Sequence, residues 1–354
     1  MSRFFSQKYD ALTPYTPGEQ PKEKKYIKLN TNESPFPPSP KAIEAASKAA
    51  GALQLYSDPT AAKLHEMIAA LYGVKSQNVL ATNGSDEILN FAFMAFCDGN
   101  HPAVFPNITY GFYSVFAELN GVPYEEIPLK ADFTIDPKDY IGIGKTIFIA
   151  NPNAPTGIAL SLDTIEEIVK SNPDSVVVID EAYVDFGGET AAPLTKQYKN
   201  LLVTGTFSKS RSMAGARLGF GIACEELIND LNTIKYSTNP YNVNSMTMAA
   251  GLGTLEDEAY TRANIRSVIE NREWTAAELK KLGFEVMPSC TNFIFARHPA
   301  LDGRQTYLNL KARGILVRHF DKPRLNEYNR ITIGSGDQMT ALVEAMRSLL
   351  EEAK

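Results

Sequence analysis

Thiols and imidazoles are scarce in this chain: its 354 residues hold three cysteines and four histidines. Cys97, Cys224 and Cys290 form an odd, scattered set, which excludes a disulfide framework and a zinc motif. His65, His101, His298 and His319 show no metal-ligand spacing, so no metal is expected. No apolar run approaches the ~20 residues needed to cross a bilayer. The opening Met-Ser-Arg-Phe-Phe-Ser-Gln-Lys-Tyr-Asp lacks the apolar core of a secretion signal, and the expected location is the cytoplasm. A basic surplus is missing too. Lys and Arg number 35 against 41 Asp and Glu, and the net charge of -6 is the wrong sign for a nucleic-acid partner. Neither an internal repeat nor a low-complexity tract is visible. What remains is an ordinary globular composition, 44% hydrophobic and 21% charged. The length exceeds what one ordinary core serves, so a large and a smaller unit are expected.

Residues 1–37 read as an arm. Pro14, Pro17, Pro21, Pro35 and Pro37 rule out a long helix, and Tyr26-Ile-Lys-Leu-Asn30 alternates like a short strand. Helices are expected over 40–50, with Pro40 in the first turn, and up to Tyr72, ended by Gly73. From residue 78 the pattern becomes strand and helix in alternation. Short β-branched runs at 78–82, 103–105, 122–127, 146–150, 175–179, 201–204 and 218–222 are separated by helical stretches such as 88–97, 110–119 and 162–169. This predicts an α/β fold with a mostly parallel sheet and helices on both faces. A long helical stretch from about 242 to 282, broken near 254–257, leads to a smaller α+β unit. That unit has strands near 292–296, 314–318 and 330–333. The expected division is an arm (1–37), a large unit (38–257) and a small C-terminal unit (258–354).

Ligands of such sheets bind beyond the carboxyl ends of the strands, and the polar clusters fall there. Gly84-Ser85-Asp86 sits between a strand and a helix start, an anion-binding arrangement, although taken alone these residues read more readily as a plain serine cap. Ile143-Gly-Lys-Thr146 resembles the end of a P-loop, but Asp139 stands where the first glycine is required and the segment precedes its strand. The densest chemistry lies in residues 204–220. There Lys209 is flanked by Ser208 and Ser210, with Thr206 before it and Arg217 after it. Hydroxyls, a cation and flexible glycines around one lysine fit a bound phosphate beside a reactive amine. They fit a lysine that forms a Schiff base with pyridoxal 5'-phosphate, with a polar loop as the plainer alternative. Asp180 ends an apolar strand, where an unpaired carboxylate is costly, so it needs a cationic partner. A protonated pyridine nitrogen is one such partner, and a structural ion pair is another. Tyr183, three residues on, can direct its hydroxyl to the ring oxygen.

The ordered set Asn151-Pro-Asn-Ala-Pro-Thr-Gly157, Asp180-Glu-Ala-Tyr183, Ser208-Lys209 and Arg217-Leu-Gly-Phe220 resembles the fold-type I pyridoxal-phosphate aminotransferases of class II. More narrowly, the chain resembles the histidinol-phosphate aminotransferase family. That likeness rests on Leu12-Thr-Pro-Tyr15, Leu29-Asn-Thr-Asn-Glu33, Thr109-Tyr-Gly-Phe-Tyr-Ser114, Asp180-Glu-Ala-Tyr-Val-Asp-Phe186, Gly314-Ile-Leu-Val-Arg318 and Arg330-Ile-Thr-Ile-Gly334.

The resemblance implies roles. Lys209 carries the cofactor and then acts as the base; Asp180 pairs with the pyridine nitrogen and Tyr183 bonds the ring hydroxyl. Tyr110 stacks on the ring. The phosphate is held by backbone amides at Ser85 and Asp86 in the Gly84 turn, by Thr206, Ser208 and Arg217, and by Tyr56 of a second subunit, which makes the protein a homodimer. Arg330 holds the carboxylate of glutamate, a task suited to a guanidinium. Tyr15, Asn32 and Arg318 line the substrate site, with Arg318 near the substrate phosphate. The implied substrates are histidinol phosphate and the glutamate/2-oxoglutarate pair. His319, beside Arg318, points away if the strand alternates regularly. One departure stands out: the family usually has Asn directly before Pro-Thr-Gly, and here that residue is Ala154, with Asn153 the nearest substitute. Aromatic amino-acid aminotransferase and threonine-phosphate decarboxylase chemistry on the same scaffold remain alternatives. A ligand-sensing regulator of this fold would need a DNA-binding domain, for which the arm is too short and insufficiently basic.

Overall fold

Two hydrogen-bonded sheets organise the chain in the computed structural model, which describes residues 2–10 and 12–353; Met1, Ala11 and Lys354 lie outside the described residues. The strands are β1 (Ile27–Leu29), β2 (Val79–Thr82), β3 (Ala103–Pro106), β4 (Tyr124–Ile127), β5 (Thr146–Ala150), β6 (Val177–Asp180), β7 (Leu201–Thr206), β8 (Gly219–Ile222), β9 (Glu285–Val286), β10 (Phe293–Arg297), β11 (Ile315–His319) and β12 (Asn329–Thr332). The helices are α1 (Pro40–Ala49), α2 (Ala62–Tyr72), α3 (Ser85–Phe96), α4 (Phe112–Asn120), α5 (Leu162–Ser171), α6 (Glu225–Thr238), α7 (Ser245–Leu255), α8 (Glu258–Lys281), α9 (Gly303–Ala312) and α10 (Gly336–Glu352).

The larger sheet has seven strands in the order β2-β8-β7-β6-β5-β3-β4. Strands β4, β3, β5, β6 and β7 are parallel, and β8 runs against both of its neighbours. Side-chain alternation sorts its residues onto two faces. Ile147, Ile149, Val177, Ile179 and Val203 join a core with Ile165 and Ile168 of α5 and Leu64 and Ile68 of α2. Phe148, Val178 and Leu202 join the opposite core with Ile88 and Leu89 of α3, Tyr113 and Phe116 of α4, and Ile228 and Leu231 of α6. Both faces are therefore dry, which is why these strands are continuous apolar runs. Each such Ile or Leu removed from water stabilises the sheet by roughly 1.5–3 kcal/mol.

The smaller sheet, β1-β11-β12-β10-β9, packs on α8 and α10 through Leu29, Val268, Leu279, Ile294, Ile331, Met339 and Leu342. Its edge strand β1 comes from the arm and pairs parallel with β11, Ile27 to Ile315 through Leu29 to Val317. The arm is thereby fastened to the C-terminal part of its own chain. Helix α6 has no counterpart among the elements expected from the sequence. The strand expected from Val122 begins at Tyr124, because Gly121, at φ 70°, closes α4 immediately before it.

Candidate active site

The carboxyl ends of β2, β5, β6 and β7 open on one edge of the larger sheet, and two cavities meet there. The first, about 380 Å³, is lined by Ser85, Asp86, Tyr110, Asp180, Tyr183, Thr206, Ser208, Lys209 and Arg217. The second, about 640 Å³, is lined by Tyr15, Asn32, Arg318 and Arg330, with Tyr110, Tyr183 and Lys209 again in its wall. Lys209 thus stands where the two cavities join. Its Nζ is 3.4 Å from the Thr31 carbonyl and 5.9 Å from the centre of the Tyr183 ring. Removal from water, with the Arg330 guanidinium nearby, brings the Lys209 amine down to about 8, so a sizeable fraction is neutral near physiological pH.

One end of the first cavity is built to receive an anion. Helix α3 begins at Gly84, which has no side chain with which to cap it, so the amides of its first turn have no side-chain acceptor. Gly84 has φ 80°, and a Cβ there would lie 2.6 Å from Arg217 Nη2. Opposite, a Cβ on Gly219 would lie 2.4 Å from the Gly84 carbon and the Ser85 nitrogen. Only glycine lets β8 pass this close to the turn. The Thr206 and Ser208 hydroxyls bond each other at 2.9 Å on the facing side. Arg217, also at positive φ, donates to Asp86 Oδ2 at 2.7 Å, and the Tyr110 hydroxyl donates to Asp86 Oδ1 at 2.6 Å.

The other end is a buried carboxylate. Asp180 accepts from the Tyr113 hydroxyl at 3.0 Å, and from the Ala182 amide and Thr204 hydroxyl, each at 3.3 Å. No basic side chain of the described residues makes an ion pair with it. Burial, reinforced by the charge of Asp86, pushes Asp180 up to about 6 against the opposing pull of Tyr113. A cationic ligand atom at this carboxylate would supply the charge it lacks. Between the two ends the wall is flat and apolar, formed by Ala150, Ala154 and Ala182. These residues would suit a flat ring that carries a cation toward Asp180 and a phosphate toward the α3 turn.

The second cavity is dominated by cations. Arg330 is turned inward, with Nη2 donating to the Asn30 carbonyl at 3.0 Å and a buried Nε that has no partner among the described residues. Arg318 lies opposite Arg330 in the β11–β12 register, and both guanidiniums pack over the Phe320 ring. Arg318 reaches toward the Thr16 and Pro17 carbonyls of the arm, at 3.3 and 3.4 Å. Tyr15 stacks on Phe112 at 4.3 Å, closing the arm over α4.

Two sequence-selected residues lie elsewhere. Asn153 is buried, but its side chain donates to the Ile108 carbonyl and Thr156 and accepts from Thr109, so its hydrogen bonds tie its loop to the segment after β3. Ala154, not Asn153, borders both cavities. Tyr56 is 83% exposed and stacks on Tyr241 at 4.5 Å, outside both cavities. His319 is turned away from them, parallel to the Tyr307 ring at 6.0 Å. Tyr113 was not selected from the sequence. It sits in an aromatic run that reads as core, and nothing local marks its hydroxyl as the partner of a carboxylate 67 residues away.

Residues 24–346 match the model of the family described as aminotransferase class I and II. The chain belongs to this family. Within it, the aminotransferase is 50% identical over 353 residues to the histidinol-phosphate aminotransferase of Brachyspira hyodysenteriae, covering 99% of this chain and 100% of that one. It is 49% identical, over 99% and 100% of the two chains, to the histidinol-phosphate aminotransferase of a Marinomonas species. Its fold matches the crystal structure of histidinol-phosphate aminotransferase from Sinorhizobium meliloti in complex with pyridoxal 5'-phosphate, with a TM-score of 0.87 at 22% identity and 99% of each chain covered. The aminotransferase is a pyridoxal-phosphate-dependent enzyme of fold type I, and the mostly parallel sheet expected from its sequence is the one observed.

Proposed function

We propose that the chain catalyses transamination between L-histidinol phosphate and 2-oxoglutarate, giving imidazole acetol phosphate and L-glutamate, a step of histidine biosynthesis. One observation carries the reading. A half-buried lysine with a lowered proton affinity joins a cavity suited to a flat, phosphate-bearing cation to a cavity with two arginines. The names of relatives that are about half identical over the full length support the choice of substrate.

When bound, pyridoxal 5'-phosphate supplies an electron sink for the pair left when the substrate α-carbon loses its proton. The chain's residues do the rest. The amides of Ser85 and Asp86 in the Gly84 turn, the hydroxyls of Thr206 and Ser208, and Arg217 would hold the phosphate. Asp180 would keep the proton on the pyridine nitrogen. Tyr183 would bond the ring oxygen, Tyr110 would face the ring, and Asn153 stiffens the loop that presents Ala154. The Lys209 amine, once free, would take the α-carbon proton and deliver it to the cofactor carbon on the far side of the substrate nitrogen, two atoms along, a transfer that needs an amine neutral at working pH. Arg330 would bind the carboxylate of glutamate, with its buried Nε free of a partner among the described residues, and Arg318 would take the phosphate of the other substrate. Tyr15 and Asn32 form the walls. The reading includes a homodimer in which Tyr56 serves the partner's phosphate site, a location in the cytoplasm, and the division into an arm, a cofactor-binding unit and a small C-terminal unit.

The test is glutamate formation by purified, cofactor-loaded enzyme from L-histidinol phosphate and 2-oxoglutarate, with phenylalanine and threonine phosphate as competing donors. Turnover of histidinol phosphate at least tenfold above phenylalanine is expected. Turnover of phenylalanine alone, or carbon dioxide release from threonine phosphate, overturns the assignment.

A further inference from the structure

Tyr183 receives a hydrogen bond whose direction is fixed two residues away. Asn32, three residues beyond the arm strand, lies in the left-handed region at φ 55°, which Asn tolerates better than most residues. Its backbone N–H donates to the Thr332 hydroxyl at 2.9 Å. An N–H can only donate, so the hydroxyl accepts, and its single proton goes to its other partner, Asn32 Oδ1, at 3.0 Å. The Asn32 amide is thereby oriented with Nδ2 toward Tyr183, 2.9 Å from the phenol oxygen. The reversed amide would place two donors against the Thr332 hydroxyl and leave its proton without an acceptor. Thr332 and Asn32 are both about 2% exposed, so no water repairs that loss. Asn292 Nδ2 holds the Asn32 carbonyl at 3.0 Å, which fixes the backbone from the other side.

We infer that Thr332 and Asn32 are positioning residues that make Tyr183 an obligate donor to the ligand oxygen it faces. Because Nδ2 only donates, the phenol accepts, and its own proton is left to point into the cavity. The inference rests on the proposed cofactor reading, in which that oxygen is the ring oxygen of pyridoxal 5'-phosphate. It also answers the departure at Ala154. With no amide side chain before Pro-Thr-Gly, and with Asn153 committed to Ile108, Thr109 and Thr156, Tyr183 is the side-chain donor left for this oxygen, and the direction of its proton is set from β12. Thr332 shares that strand face with Arg330, so one strand carries both the substrate-carboxylate arginine and the residue that orients the phenol.

The experiment compares equilibrium binding of pyridoxal 5'-phosphate and its 3-deoxy analogue, which lacks the ring oxygen, without any turnover. Wild type is expected to prefer the natural cofactor by about tenfold, the scale of one well-made hydrogen bond. Thr332→Val should bring the ratio down to about twofold, while Thr332→Ser keeps it. Asn32→Asp presents an acceptor that captures the phenol proton, and should abolish the preference even if Thr332→Val folds poorly. Tyr183→Phe should abolish it as well, and adding Thr332→Val to that background should change nothing further. A purely structural role for Thr332 would weaken both compounds equally. An unchanged ratio in Thr332→Val, or a fall that persists without the phenol, overturns the inference and leaves the cofactor reading intact. Failure of the wild type to bind either compound overturns the reading beneath it.

Discussion

At the level of single residues, the two groups that flank the ring slot have proton affinities shifted in opposite directions. Lys209 is lowered to about 8 and Asp180 raised to about 6. For the lysine, cofactor capture requires the neutral amine. The rate of capture by the ligand-free protein should therefore rise with pH and level off above about 8, read by the absorbance of the bound cofactor. Arg330 contributes to the shift, so Arg330→Gln should move that midpoint upward; an unmoved midpoint would mean burial alone sets it. For Asp180, the native state holds its proton more tightly than the unfolded chain, whose carboxyl titrates near 4. Between about pH 4 and pH 6 the folded protein binds the extra proton, and stability falls as pH rises through that window. The difference corresponds to ~3 kcal/mol at neutral pH. Ligand-free Asp180→Asn should thus melt higher than ligand-free wild type at pH 7 and gain nothing below pH 4. Once cofactor is added, the order should reverse, because the carboxylate then has its cation. A variant less stable at pH 7 without cofactor would show that Asp180 is a structural group and not one held ready for a ligand.

At the level of elements, the phosphate end depends on how closely β8 passes the start of α3. A methyl on Gly219 would meet backbone atoms 2.4 Å away, where no side chain can swing aside. Gly219→Ala should therefore part the strand from the turn, costing about 1–3 kcal/mol of stability and weakening cofactor binding about tenfold or more. Gly99→Ala, in open space away from both cavities, is the control and should leave both unchanged. Calorimetry and a cofactor titration of the two variants separate the outcomes; equal effects would refute the close-passage argument. The sequence made this region legible because strand, turn and helix start are contiguous there. It did not reveal α6, whose buried positions are Ile228, Leu231 and Lys235. A lysine on the inward face breaks the apolar stripe that marks an amphipathic helix. Nor could the pairing of β1 with β11 be read, since residues 27 and 315 meet only through a fold that nothing local encodes. Tyr113 was hidden for a similar reason: its ring belongs to the core, and only its hydroxyl belongs to the site.

At the level of the whole molecule, Tyr56 is what the isolated chain leaves unexplained. Its ring is 83% exposed, held flat against Tyr241, and Leu53, Leu55 and Tyr236 are also exposed at 55%, 66% and 49%. The same segment is tied down from below, with the Ser57 hydroxyl donating to the Val243 carbonyl at 2.7 Å. In the proposed homodimer this fastened segment would present the exposed Tyr56 to the other subunit, whose phosphate end would gain one more donor. The consequence is shared-site behaviour. In a dimer built from one Lys209→Ala chain and one Tyr56→Phe chain, one site carries both lesions and the other carries neither. Mixed dimers should therefore recover about half the wild-type activity per dimer, although the Lys209→Ala parent has none and the Tyr56→Phe parent, with a hydroxyl missing from each phosphate site, holds cofactor about tenfold more weakly. If Tyr56 served its own chain's site, the mixed dimer would hold one site without the lysine and one without the hydroxyl, and no site of wild-type affinity would appear. Cofactor titration of the purified mixed dimer distinguishes these cases: one tight site per dimer supports the crossed arrangement, and none rejects it.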